Sequence, residues 1–243
     1  MLRWKIFLSL TLALFLGVMP LQAKKYKALK KGVKNGATLT GQIVFDGTPP
    51  KPRMLKVDKD TETCGSDRLS EELEVSSGGG IKNVVVSIEG IYKGKKWKKS
   101  FKKFTYDQKG CRFVPHIILM RAKAKGVVLN SDNVGHNFHT VSKGVYNINK
   151  KIKANAKMKV KKKKIKKSGI IRVKCDLHSW MGGWWIVAKT PYTELTDASG
   201  KFSIADIPPG KYTLKIWQEK LGETKQKLVI KAGETKNISI KIK

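Results

Sequence analysis

A thiolate, an imidazole and a thioether occur within seven residues, in Cys175-Asp-Leu-His178-Ser-Trp-Met181. A loop this short can bring all three side chains to a single ion. A trigonal site of one cysteine and two histidines with a weak axial methionine suits copper, because thiolate favours Cu(I) and imidazole tolerates both oxidation states. The loop supplies three of these four ligands, so a second histidine must come from elsewhere in the chain.

The second imidazole is expected upstream, in the segment 130–140, which contains His136 and His139. Residues three apart on a strand face opposite sides, so both histidines cannot easily bind one ion. We choose His136, because Asn137 follows it and can hydrogen-bond across to the loop that carries the cysteine. His139 is interpreted as a surface or packing residue, and His116 as a structural one.

Other interpretations of Cys175 stay open. It could be an ordinary buried cysteine, and a Cys175–His178 nucleophile pair is formally available, although no oriented third group accompanies it. Zinc is a minor alternative, since it has little use for a thioether ligand. The metal site is preferred because Ile171 and Val173 alternate up to Cys175, which places the sulfur on the inward face of a strand.

These two motifs, His136-Asn-Phe-His139 and Cys175-Asp-Leu-His178-Ser-Trp-Met181, resemble the cupredoxins, the type 1 blue copper proteins, and especially their amicyanin- and plastocyanin-like members. The resemblance covers residues 105–190. It implies that His136, Cys175 and His178 are equatorial ligands of one type 1 copper ion. Met181 is then the axial ligand.

The same resemblance implies that the edge of His178 faces solvent and passes electrons. Around that edge we expect a flat apolar docking patch formed by Trp180, Gly182, Gly183 and Trp184, because a transient interface is small. The chain departs from amicyanin at Ser179-Trp180, where amicyanin has Pro-Phe.

The pattern of the whole chain is β: short apolar or alternating runs are separated by turn residues or lysines, and no long helical period occurs. We expect an all-β fold, a cupredoxin-like Greek-key β-sandwich plus a second, smaller β-sandwich. Residues 196–242 resemble the transthyretin-like or carboxypeptidase-regulatory-like module. The expected divisions are a signal peptide over 1–23, a basic flexible lead over 24–37, an N-terminal β region over 38–104, the copper domain over 105–190 and the second β-module over 191–243.

The 53 residues of 191–243 are few for an independent core. That tail is therefore expected to complete its sandwich with early strands around Ile43 and 84–88, which would make the copper region an insertion. Two further local expectations are a short helix over 67–73 and a basic excursion over 150–167 between the two ligand strands.

Residues 1–23 have the pattern of a secretory signal peptide, with basic residues first, then an apolar run too short for a membrane span, then Ala23. We expect cleavage and a periplasmic or otherwise exported protein; an uncleaved signal that anchors the chain is the alternative. Oxidising compartments favour disulfides. With Cys175 on the metal, Cys64 and Cys111 are predicted to pair. A second metal held by Cys111 and His116 is the weaker alternative, because no further cysteine or histidine lies nearby.

The formal net charge is +33, and removal of residues 1–23, which carry two basic and no acidic residues, leaves +31. Such a field can indicate nucleic acid. We exclude that partner because 45 basic residues are lysines and only 6 are arginines, whose guanidinium reads phosphate and base edges. The expected partner is an acidic redox protein such as a cytochrome or a dehydrogenase, attracted less as salt rises. Peripheral association with an anionic membrane surface is also expected.

Several enzyme classes are excluded by counting. A multicopper oxidase or a nitrite reductase needs many more histidines than the four present, and a binuclear copper centre needs a second cysteine in the loop. The C-x-x-C-H motif of c-type haem and the C-x-x-C dithiol are both absent. We therefore expect an exported carrier of single electrons rather than an enzyme. The alternative is a copper-binding, copper-delivery or structural β-sandwich protein of the cell envelope without redox turnover.

Overall fold

A computed structural model describes residues 25–243. The signal peptide expected over 1–23 lies outside the described residues. Among those described, the structure is almost entirely β, and no helix is long and apolar enough to span a membrane. In chain order the elements are β1 Lys27–Ala28, β2 Ala37–Phe45, β3 Met54–Leu55, α1 Thr61–Cys64, β4 Arg68–Leu69, β5 Val85–Glu89, β6 Lys93–Gly94, a 3-10 turn Lys99–Phe101, β7 Lys103–Gln108, β8 Phe113–Val114, β9 Ile117–Arg121, β10 Lys125–Asn130, β11 His136–Val141, β12 Ile148–Ile152, β13 Lys157–Val160, β14 Gly169–Lys174, β15 Gly182–Ala188, β16 Thr193–Leu195, β17 Lys201–Ile207, β18 Gly210–Gln218, β19 Gly222–Ile230 and β20 Thr235–Ile242.

The middle of the chain forms one sandwich, here called the inner sandwich, from two sheets of order β13-β10-β7-β8 and β12-β11-β14-β15-β9. Alternating residues of these strands are buried between the sheets, as in Ile171 and Val173 of β14. The core contains an aromatic group of Tyr106, Phe113 and Trp185. This confirms the all-β class and the strand expectations from residue 113 to residue 187.

The inner sandwich is not purely antiparallel. β10 pairs in parallel with β7, and β15 pairs in parallel with β9. Parallel neighbours need a crossover connection, which the chain provides by passing through the opposite sheet between the paired strands. The basic segment 150–167, expected to be an excursion, instead contains β13 and the end of β12, because Ile152, Met158 and Val160 supply inward-facing residues among the lysines.

A second sandwich, the outer sandwich, joins both ends of the chain. Its sheets have the orders β16-β5-β18-β19 and β17-β2-β20. β2 lies between β17 and β20, and β5 lies between β16 and β18. Its core is a separate cluster that includes Leu39, Ile43 and Leu214. The C-terminal strands thus share a sandwich with early strands, and the inner sandwich is inserted between β5 and β16.

The basic lead expected to be flexible over 24–37 contains β1, which pairs with β6. Tyr26 explains this, because its ring packs edge-on against Trp97 and Tyr192.

Residues 53–72, here called the covering segment, lie across one end of the inner sandwich. The segment consists of the paired strands β3 and β4 with α1 between them, and a Cys64–Cys111 disulfide ties it to the inner sandwich. The predicted disulfide is present. The helix expected over 67–73 is wrong: the only helical turn there is α1, and residues 68–69 form β4, since they pair with β3.

Candidate metal centre

The strands of one sheet position the predicted ligands. His136 is the first residue of β11, and Cys175 directly follows β14, which pairs with β11 through His139 and Lys174. His178 and Met181 lie in the loop that leads to β15. The ligand atoms of His136, Cys175 and His178 lie within 4.8 Å of one another, and all three residues are buried.

The two imidazoles face each other through the same atom type. Nδ1 of His136 is 2.9 Å from Nδ1 of His178, and Sγ of Cys175 is 3.7 Å from Nδ1 of His178. The Nε2 atoms point outward to carboxylates, at 2.8 Å from Asp132 and 2.7 Å from Asp60. An imidazole that donates its Nε2 proton keeps a lone pair on Nδ1. Two lone pairs cannot hydrogen-bond to each other, so a cation between the rings satisfies both, and the donor set fits a metal ion.

Burial lowers the pKa of His136, and the charge of His178 lowers it further, whereas the hydrogen bond that His136 donates to Asp132 raises it. Neutral imidazole is the form that binds metal. The environment of His136 therefore favours the ligating state.

The neighbouring strand β11 fixes the position of the Cys175 sulfur. The backbone N–H of Asn137 donates to Sγ of Cys175 at 3.2 Å, and the Asn137 side-chain oxygen accepts from the N–H of Asp176 at 3.3 Å. These contacts confirm the expectation that Asn137 bonds across to the cysteine loop. The loop is closed by its own backbone, since Cys175 N–H donates to Met181 O and Met181 N–H donates to His178 O.

Met181 is buried in the core of the inner sandwich beside Cys175 and Trp180. Its thioether therefore belongs to the apolar surroundings of the site, and its role as axial ligand stays a prediction.

Asp132 was missed in the sequence, although it precedes His136 by four residues. Besides binding His136, its carboxylate accepts the N–H groups of Gly110 at 2.6 Å and Cys111 at 2.8 Å. One carboxylate therefore holds both a ligand histidine and the chain turn that carries the disulfide. Carboxylates behind metal-binding histidines fix the tautomer and the ring orientation.

Asp60 was also missed, and it changes the expected access to the site. It begins α1 with a left-handed backbone, φ 50°, and its Oδ2 reaches Nε2 of His178. His178 is 0% exposed. The expectation of a solvent-facing His178 edge is therefore wrong, because the covering segment lies over it.

The expected docking patch is also wrong. Trp180 is only 8% exposed; its ring packs 5.0 Å from His178, and its indole N–H donates to Cys111 O. Gly183 is buried, and Trp184 packs edge-on against Trp217 of the outer sandwich. With Trp180 and Gly183 buried and Gly182 and Trp184 half-buried, the four residues do not form an exposed flat apolar surface.

The remaining histidines lie apart from the centre. His139 is paired with Asp176 at 2.9 Å, and this hydrogen bond is the main cause that lowers the pKa of Asp176 to about 2. His116 is bonded to Glu219. The alternative metal site at Cys111 and His116 is wrong, since the sulfur of Cys111 is in the disulfide. For the same reason Cys111 cannot bind a metal ion together with Asp132 and His136, although their polar atoms lie close to its sulfur.

Comparison with known proteins gives limited matches. Residues 166–238 match the family model of polysaccharide lyase family 4, domain II, a stretch that runs from β14 into β20. No curated protein sequence matches the chain. The transthyretin-like resemblance of the tail stays a prediction.

Among solved structures, the chain is similar to a copper-containing nitrite reductase from Thermus scotoductus, with 16% identity over 36% of this chain, 23% of that chain and a TM-score of 0.33. The chain thus spans less than a quarter of that protein's length. It is similar to amicyanin from Paracoccus versutus, with 14% identity, 35% of this chain, 81% of that chain and a TM-score of 0.31. It is also similar to a purple cupredoxin from Nitrosopumilus maritimus, with 18% identity, 31% of this chain and 81% of that chain covered, and a TM-score of 0.27.

Proposed function

We propose that this chain is an exported type 1 copper protein in which His136, Cys175, His178 and Met181 hold one copper ion, and that it carries single electrons between redox partners. The observation that supports it is the pair of facing Nδ1 atoms beside the Cys175 sulfur, each imidazole being held from behind by a carboxylate. Copper in such a donor set supplies one-electron exchange between Cu(I) and Cu(II). Catalytic turnover of a substrate is not part of the proposal.

The protein residues contribute rigidity and exclusion of water. Asp132 and Asp60 keep both Nδ1 lone pairs directed inward, and the Asn137 N–H stabilises negative charge on the sulfur. Burial of all four proposed ligand residues keeps water from the centre. A site whose ligands are already placed needs little rearrangement on electron transfer, which suits a carrier.

A second function is favoured by one observation, the complete burial of His178 under Asp60 and the covering segment. A closed site hinders direct electron entry through that imidazole. It suits copper that stabilises the fold, or copper that is stored and delivered. Rapid, reversible voltammetry of the bound metal supports the carrier, whereas slow or absent electron exchange supports the second function.

The experiment that tests the copper site is the visible and electron paramagnetic resonance spectrum of the purified chain loaded with Cu(II), beside Cys175→Ser. An intense thiolate charge-transfer band that is lost in the variant supports a type 1 site. A colourless wild-type protein with ordinary copper signals rejects it.

We further propose an acidic redox protein as partner and export as the location. The Cys64–Cys111 disulfide supports export, since such bonds persist in oxidising compartments. Lysines surround a shallow depression of about 720 Å³ on β7, β10 and β13, among them Lys103, Lys125 and Lys159. This surface suits an acidic partner or an anionic membrane, and association rates that fall steeply with ionic strength test it. Nucleic acid is not proposed.

A further inference from the structure

A second cavity, here called the arginine pocket, lies beside the candidate metal centre. Its volume is about 330 Å³, and Trp180 and Met181 form part of its wall. Three parts of the chain enclose it: the covering segment, the end of the inner sandwich that holds the ligand loop, and Glu219 from the turn between β18 and β19. A cavity of this size accommodates a small molecule.

Arginine is concentrated here to an unusual degree. The whole chain has six arginines, and four of them, Arg53, Arg68, Arg112 and Arg172, line this one pocket. Elsewhere in the chain, lysine carries almost all of the positive charge. The forked, planar guanidinium group of arginine recognises anions through two parallel hydrogen bonds, so the arginines of this pocket indicate recognition of an anion. Lys56 adds a fifth positive charge.

The carboxylates of the pocket do not use up these donors. Glu72 bonds Arg53 at 3.1 Å, and Glu219 is occupied by His116 and the Trp184 indole. By contrast, Glu71 is 3.8 Å from Arg112, and Glu219 is 3.7 Å from Arg172, both beyond hydrogen-bond length. Each of these two guanidinium groups therefore keeps donors for a ligand.

Two buried nitrogen atoms of the lining have no partner within the described residues. They are Nε of Arg68 and Nδ1 of His116, whose side chain is 7% exposed. Buried polar groups are nearly always hydrogen-bonded, so an unpaired one indicates a missing ligand or water. Burial lowers the pKa of Arg68, and the nearby charge of Arg112 lowers it further, so a bound anion would relieve repulsion between these two groups.

We propose that the arginine pocket binds a small oxyanion, a carboxylate or a phosphate, held by Arg68, Arg112 and Arg172 against the Trp180–Met181 wall. The proposal goes beyond the copper function and does not require the metal. An anion bound there lies beside the ligand loop, where it favours the higher charge of any metal ion that the loop holds.

Isothermal titration calorimetry of the purified full chain tests this, at constant ionic strength, with inorganic phosphate in one series and succinate in the other, both before and after copper loading. We expect saturable one-to-one binding of at least one probe, and the stronger probe identifies the class of anion. Arg112→Gln should weaken that binding about tenfold, because it removes charged hydrogen bonds.

The matched control is Arg121→Gln, which removes the same charge outside the pocket and should change the binding constant less than twofold. If Arg112→Gln fails to fold, Arg172→Gln, at the second guanidinium group that keeps donors for a ligand, replaces it. A second readout is the Arg68 Nε–H resonance, which should shift on titration of the wild type. Absence of saturable binding, or equal weakening by the pocket and control variants, would overturn the proposal, since diffuse lysine charge would then explain the affinity.

Discussion

Asp60 and His178 are 118 positions apart in the sequence, and Oδ2 of Asp60 lies 2.7 Å from Nε2 of His178. Asp60 directly precedes α1, and Cys64, the last residue of α1, is disulfide-bonded to Cys111. The disulfide therefore fixes the position of the carboxylate on the imidazole. Through this contact, the covering segment takes part in the candidate centre and also buries it.

Replacing Asp60 with Asn should weaken copper binding about 10- to 100-fold, because the neutral amide holds the His178 tautomer less well. The affinity is measured by competition with a chelator. Asp58→Asn is the control: it removes the same charge two residues away and should leave the affinity unchanged. Equal affinities for Asp60→Asn and the wild type would show that the carboxylate has no role behind the ligand.

The choice between the two histidines of β11 can be tested directly. His136→Ala should abolish the thiolate-to-copper band, because it removes one of the two facing Nδ1 atoms. His139→Ala should keep the band, since His139 is paired with Asp176 outside the centre. Visible spectra of both variants after copper loading give the answer, and loss of colour in His139→Ala alone would reverse the assignment.

Removal of the disulfide should destabilise the protein and open the centre. The bond joins positions 47 apart, and closing a loop of that length is worth about 2–4 kcal/mol. We expect Cys64→Ser/Cys111→Ser to lower the free energy of unfolding by that amount in urea titrations. Copper should also dissociate faster from this variant, because Asp60 loses its anchor. If the free energy of unfolding falls but the copper dissociation rate is unchanged, the disulfide does not support the metal centre.

The His116–Glu219 pair should make stability depend on pH. Burial alone would lower the pKa of His116. The hydrogen bond and the charge of Glu219 outweigh burial and raise the pKa above its ordinary value of 6.5. The charge of Glu71 raises it further, and the charge of Arg172 opposes the rise. A raised folded-state pKa means that the stabilisation is complete below pH 6.5 and is lost as pH rises through the folded value.

The measurement is the free energy of unfolding between pH 6 and pH 9. Glu219→Gln should lower the free energy of unfolding by about 3 kcal/mol at the acid end of this range, because it breaks a buried pair. It should also flatten the decline of the free energy of unfolding toward alkaline pH. Glu223→Gln, on the following strand with an exposed partner, should do neither. If the free energy of unfolding of Glu219→Gln falls toward alkaline pH as much as that of the wild type, the His116–Glu219 pair is not the cause of the pH dependence.

Part of this structure could be predicted from the sequence because the signals are local. Alternation of Ile171 and Val173 gave β14, and the spacing of Cys175 and His178 gave a loop that brings their side chains together. The cysteine count gave the disulfide. Asp132 could have been found from its spacing to His136, because a carboxylate so close in sequence can reach the ring.

The covering segment could not be predicted in the same way. Its strands have two residues each and no period, so Asp60 carries no local signal for a contact with His178. The exposed His178 edge was expected from a resemblance to a family, and the covering segment of this chain buries that edge. The helix expected over 67–73 failed because pairing of β4 with β3 outweighs a weak local preference.

The insertion of the inner sandwich into the outer one determines the order in which the protein can be completed. β2 must pair with β20, and β5 with β18, and both of these partners follow all strands of the inner sandwich in the chain. Contacts so distant in sequence form slowly. The strands around the candidate metal centre can therefore pair with one another while β2 and β5 still have unpaired edges.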